Sequence, residues 1–196
     1  MKNLSKNLSL VVVLSLYLSQ TSCGQHGSHT TMEQAKTAKA VVLPDLGKVN
    51  ATTKEQLTNL SVAYFDLKDA LVATDAQATS TKSEALLKAL TSVDATKMSA
   101  KQQEFFKPLL ATMEEDGKHI VSNVEIGHQR GHFNRLSNDL YVTLRAFKAN
   151  KKAVYQQFCP MAFNDAGAFW LSDKKEIKNP YFGDKMLKCG KVIETF

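Results

Sequence analysis

Apolar residues recur at intervals of three and four along much of the chain. Leu57, Leu60, Tyr64, Leu67 and Leu71 form the first such stripe, which is the period of an amphipathic helix. It predicts a helix starting near Lys54, capped by Thr52 or Thr53. Asp75 marks a turn or a new cap. A second helix is expected over residues 76–95, with Ala78, Ala85, Leu86, Ala89, Leu90 and Val93 on one side; its small residues would let a neighbour pack closely. Ser99 is the next cap. A third helix over 101–121 carries Phe105, Phe106, Leu109, Leu110, Met113, Ile120 and Val121, and Pro108 is expected to kink or restart it. Ser122-Asn123-Val124-Glu125 has the form of a capping box. The fourth helix should begin there and run to about Ala149, burying Phe133, Leu136, Leu140, Leu144 and Phe147. Four such helices with short connections predict an all-α fold, an up-and-down four-helix bundle.

The pattern changes after Asn150. Residues 154–158 alternate like a strand, Cys159-Pro160 ends it, and residues 164–167 read as a turn. Residues 168–171 suit a second short strand, 179–183 another turn, and 186–189 a short helical or extended end. The expectation is a small irregular or β segment over 154–196, packed on the helices and held by a cross-link or a metal. Phe158, Phe163, Phe169, Trp170, Tyr181 and Phe182 would form its core.

The N-terminus sets the compartment. Two lysines precede a short apolar run, residues 8–18, and small residues lead to Ser22-Cys23-Gly24. This is the order of a secretory signal over residues 1–22, with an apolar run about half the ~20 residues a spanning helix needs. The placement of Cys23 resembles a bacterial lipoprotein signal, with Gln20 where such signals usually carry Leu. Lipidation of Cys23 would make the chain an exported, periplasm-facing membrane lipoprotein. Residues 23–50 then read as a tether, in which His26 and His29 have nothing to orient them, and residues 51–196 as the domain.

Composition narrows the function. The chain of 196 residues carries a formal charge of +6. Without Lys2 and Lys6 of the leader, 23 basic residues face 19 acidic ones, a mild +4. The lysines are mixed with acids and form no basic stripe, which argues against a nucleic-acid partner. The chain has no glycine-rich phosphate loop, nucleophile elbow or HExxH motif. A non-enzymatic role is expected.

The candidate chemistry is sulfur and imidazole. Cys159 and Cys189 lie thirty positions apart, flanked by Met161 and Met186. Thiolates helped by a thioether suit a soft monovalent ion such as Cu(I) or Ag(I). The same two cysteines in an oxidising compartment would make a structural disulfide, and the sequence leaves both readings open. His128 and His132 share a helical side at i, i+4, on the flank and outer side of the fourth helix. One of them could complete a Cys/Met/His site if the C-terminal segment folds over that flank. His119 alone carries no signal. Arg130 lies close to the buried stripe and should meet a backbone carbonyl or a carboxylate of the C-terminal segment.

At Cys159-Pro160-Met161-Ala162, Gly167, Trp170-Leu171-Ser172, Asn179-Pro180-Tyr181-Phe182-Gly183, Met186-Leu187 and Cys189-Gly190 the chain resembles an uncharacterised exported bacterial family, DUF3347. Gln129-Arg130, Phe133 and Leu136-Ser137 resemble the helix motif that precedes the family's cysteine segment. The resemblance spans roughly residues 64–192. It implies a link to copper/silver efflux, because the same domain occurs fused to periplasmic adaptor subunits of such pumps. Cys159-Pro160-Met161 also resembles the opening of a short heavy-metal-binding motif of those adaptors, with Ala162 where they carry His. The leading expectation is thus a lipid-anchored domain that binds Cu(I) or another soft metal for resistance or efflux. Its partner would be an efflux adaptor or another envelope protein. The alternative is a disulfide-stapled envelope interaction module that binds no metal.

Overall fold

Leu57, Leu60, Tyr64, Leu67 and Leu71 are all fully buried on one helix, α1 (Ala51–Val72). The computed structural model describes residues 43–196. The expected leader, Cys23, His26, His29 and the expected tether up to residue 42 lie outside the described residues. Three more long helices follow: α2 (Ala76–Thr91), α3 (Ala100–Ser122) and α4 (Ile126–Phe147). Each packs on the next in sequence. No described helix is long and apolar enough to cross a membrane.

Local chemistry sets the helix ends. Asn50 caps α1 by accepting from the Thr53 N–H, so the cap lies ahead of Thr52 and Thr53, and Thr53 is buried instead. Asp75 caps α2. Ser99 and Gln102 form a capping box at the start of α3, each side chain bonded to the other's backbone N–H. Residues 122–125 hold no such box. Ser122 still belongs to α3, and α4 starts under Glu125, whose carboxylate takes the Gly127 and His128 N–H groups. A charged acceptor at the positive end of the helix outcompetes the serine hydroxyl, and these two bonds hold the Glu125 carboxyl below its ordinary pKa. α3 runs through Pro108 without restarting.

The α2–α3 seam uses serines where the sequence suggested alanines. Ser83 and Ser80 donate to the Gly117 and Ile120 carbonyls at 2.9 and 3.2 Å, while Ala85 is exposed. The expected tether also ends early. Leu46 is buried, and Gln102 donates to its carbonyl at 2.9 Å, so the residues just ahead of α1 dock on α3.

The C-terminal segment is more regular than its sequence suggests. Strands β1 (Tyr155–Cys159), β2 (Ala168–Ser172) and β3 (Lys191–Thr195) form an antiparallel sheet in the order β2-β1-β3. β2 lies against α4. Phe163, Asn164 and Asp165 turn the chain between β1 and β2 with φ of 53°, 56° and 65°. Val154 and Phe196 exchange both backbone hydrogen bonds and extend the β1–β3 pairing. Helices and sheet share one core, in which Tyr64 stacks on Phe133 at 5.0 Å and Trp170 and Tyr181 are buried.

Candidate metal centre

The seam between α3 and α4 gathers the imidazoles. Asp116 and His119 lie three apart on α3 and share a face; His128 and His132 do the same at i, i+4 on α4. The candidate ligand atoms of His119, His128 and His132 all lie within 4.8 Å of one another. The His119 and His132 rings stack at 4.4 Å between centroids, and His128 lies 4.5 Å from His132. His119 is exposed and His128 half-buried. His132 is only 9% exposed, so it is not on the outer side of α4; it is turned inward by a partner on the neighbouring helix.

That partner is Asp116, itself 3% exposed. Its Oδ1 lies 2.7 Å from His132 Nδ1 and 2.5 Å from Arg135 Nη2, and Arg135 Nη2 is also 2.6 Å from Nδ1. A guanidinium can only donate. Asp116 accepts from Arg135; Nδ1 can accept from Arg135, with the proton on Nε2, or donate to Asp116, and the second tautomer leaves Nε2 bare. This is how a second carboxylate shell presents a histidine to a metal. Burial pushes the His132 pKa below its ordinary value, opposed by Asp116 and reinforced by Arg135. The ring is therefore neutral at neutral pH, as a ligand must be.

Three imidazoles suit Zn(II), Cu(II) or Ni(II). Nitrogens about 2.0–2.1 Å from one ion stand roughly 3.4 Å apart in a tetrahedral site. Closing the present spread takes side-chain rotation, and His119 is the most exposed of the three. A polar cleft of about 480 Å³ opens beside Asp116, lined also by Thr112, Glu115, Arg135, Asn138 and Asp139. Thr112 donates to the Asp139 carboxylate, and burial raises the Asp139 pKa.

The cysteines form a separate pair. Cys159 ends β1 and is fully buried; Cys189, half-buried, precedes β3 by two residues. Their sulfurs are 2.6 Å apart. Two sulfurs each about 2.3 Å from one ion in linear or trigonal coordination stand ~4 Å apart or more, so no ion fits between them as placed. Cys159 and partial burial push the Cys189 thiol up to about 11, further from a thiolate ligand. Met161 is 46% exposed and Met186 half-buried. Neither cysteine joins the histidine cluster. The composite Cys/Met/His site is therefore not assembled among the described residues.

The remaining motif residues sew the C-terminal segment to the helices. Arg130 Nε donates to the Pro180 carbonyl at 2.8 Å, while Nη2 reaches the Leu71 carbonyl and Thr74 Oγ1. Asn179, fully buried, donates to the Cys189 carbonyl and accepts from the Tyr181 and Phe182 N–H groups. Tyr181 donates to the Phe169 carbonyl at 2.6 Å, and its ring meets Trp170 edge-on at 5.9 Å. Gly183 has φ +56°, and a Cβ there would lie 2.1 Å from Thr74 Oγ1. The residues of the imidazole cluster that sequence reasoning missed are His119, Asp116 and Arg135. The one available signal was the Asp-x-x-His spacing on a helix adjoining one with His-x-x-x-His.

Residues 60–152 match the family model described as a protein of unknown function (DUF3347). No curated protein and no solved structure matches the chain.

Proposed function

We propose that this chain, which belongs to the DUF3347 family, is a metal-binding domain of the cell envelope. It holds a copper or zinc ion at His119, His128 and His132. The observation that carries the reading is the convergence of three imidazoles around a histidine whose far nitrogen is already committed to a buried aspartate. The scaffold is an up-and-down four-helix bundle, α1 to α4, and its α3–α4 seam is the site. This reading places the ion at the imidazoles instead of at Cys159, Met161, Met186 and Cys189, the soft-ion ligands expected from the sequence. Copper remains a suitable ion, because imidazole binds it well and it tops the affinity order of the divalent metals. The leader and Cys23 support export and lipid anchoring, and the resemblance to efflux-linked domains supports a part in metal resistance. In that role the domain is a carrier and not an enzyme.

The test is competitive titration of the purified chain with Cu(II) and with Zn(II) against a chromophoric chelator. One ion bound per chain is expected. Affinity should fall at least tenfold in His119→Ala, His128→Ala and His132→Ala, and stay unchanged in Cys189→Ser. Loss confined to the cysteine variants would return the site to sulfur. No retained ion at all would favour the interaction module.

A further inference from the structure

We propose that Cys159 and Cys189 are an oxidisable pair whose disulfide clasps the segment between them onto the helices, independently of any metal. Strand pairing carries the argument. β1 and β3 are neighbours with Phe158 opposite Lys191, so the residue after Phe158 and the residue two before Lys191 meet at the same end of the ladder. Gly190 makes the approach possible. Its φ is +142°, and a Cβ there would lie 3.0 Å from the Phe158 carbonyl and 2.9 Å from the Trp170 ring. The Sγ atoms are in direct contact.

The segment they enclose holds the residues that grip the helices. Cys189 is joined to Asn179 through its carbonyl; Asn179 orders Tyr181 and Phe182, and Pro180 receives Arg130 of α4. Fixing Cys189 to β1 therefore fixes the base of that grip. Burial sets the order of the chemistry. The more exposed Cys189, reacting through the minor thiolate fraction that its raised pKa leaves, attacks the disulfide of a small or protein disulfide oxidant, forming a mixed disulfide and releasing one thiol. The buried Cys159 then displaces the second thiol and closes the bond. The pair loses two electrons and two protons, and the oxidant's disulfide becomes two thiols.

The test uses the full chain in the presence of a chelator, so that the histidine site plays no part. After incubation in an oxidised/reduced glutathione buffer, the protein is denatured in iodoacetamide, digested and mapped by mass spectrometry. A cross-linked pair of peptides two hydrogens lighter is expected. Reduction of the wild type should lower Tm by about 10 °C. Cys189→Ser should show the lower Tm with or without reductant. Both cysteines recovered singly alkylated, or a glutathione adduct on Cys189 that Cys159 never displaces, would overturn the pairing. A cross-linked protein whose Tm ignores reductant would overturn the clasp.

Discussion

Replacing Tyr64 by Phe removes one oxygen from the joint between helices and sheet. The hydroxyl is fully buried. It accepts from the Leu171 N–H at 3.1 Å and donates to Ser137 Oγ at 2.7 Å, and Ser137 in turn donates to the Phe133 carbonyl at 2.7 Å. Burial also raises the Tyr64 pKa far above its ordinary value, so the group stays a protonated donor throughout the working range. Leu171 lies on β2, the strand at one side of the sheet, and its N–H has this tyrosine as acceptor. Phenylalanine keeps the stacking on Phe133 but strands that N–H in a dry core. A buried donor without an acceptor costs about 1–3 kcal/mol. We expect Tyr64→Phe to lose about 2 kcal/mol and roughly 6 °C in Tm. Urea unfolding followed by circular dichroism gives the difference if the slope is unchanged. Ser137→Ala should lose less, since the tyrosine still receives Leu171, and the double variant should fall short of the sum. A Tyr64→Phe loss below about 0.5 kcal/mol, within the range of ordinary surface changes, would show that the hydroxyl does not hold the sheet to α1.

Three further outcomes are expected. Asp116→Ala should weaken Cu(II) or Zn(II) binding by about 10- to 100-fold, read by chelator competition, because His132 loses the carboxylate that favours a proton on Nδ1 and a bare Nε2. Burial holds the His132 imidazole below its ordinary pKa of 6.5, so the unfolded chain takes that proton more readily. The metal-free protein should be fully stable above that value and lose stability as pH falls towards the folded-state pKa, and urea midpoints for His132→Gln should flatten between pH 7 and 5. Gly183→Ala combines a left-handed backbone with a side chain driven onto Thr74, and a loss of about 2–4 kcal/mol in urea unfolding is expected.

The helices were legible because their buried stripes are strict. Phe133, Leu136, Leu140, Leu144 and Phe147 are each at most 1% exposed, and such a period needs no tertiary information. Asp75 and Ser99 announced their caps for the same local reason. β3 gave no signal. Its residues alternate between exposed and half-buried, none fully buried, so what holds it is backbone pairing to β1, which side-chain patterning does not record. The site was half legible. The spacing of His128 and His132 is visible in one helix, but their common partner lies on another. Only the packing register of α3 against α4 decides that Asp116 and His119 face them. The cysteines were legible as a pair, while their contact follows from β3, the strand the pattern hid.

The stretch that matches the family stops at residue 152, within the linker between α4 and β1. A fragment cut there would keep all four helices but leave the Tyr64 hydroxyl without Leu171 and the Arg130 fork without Pro180. It would also bare the faces of Phe133 and α4 that Tyr181 and β2 cover. Such a fragment would be sticky and prone to associate with other copies. The boundary drawn by sequence similarity is thus not a boundary of folding: the four helices need the sheet to close their core.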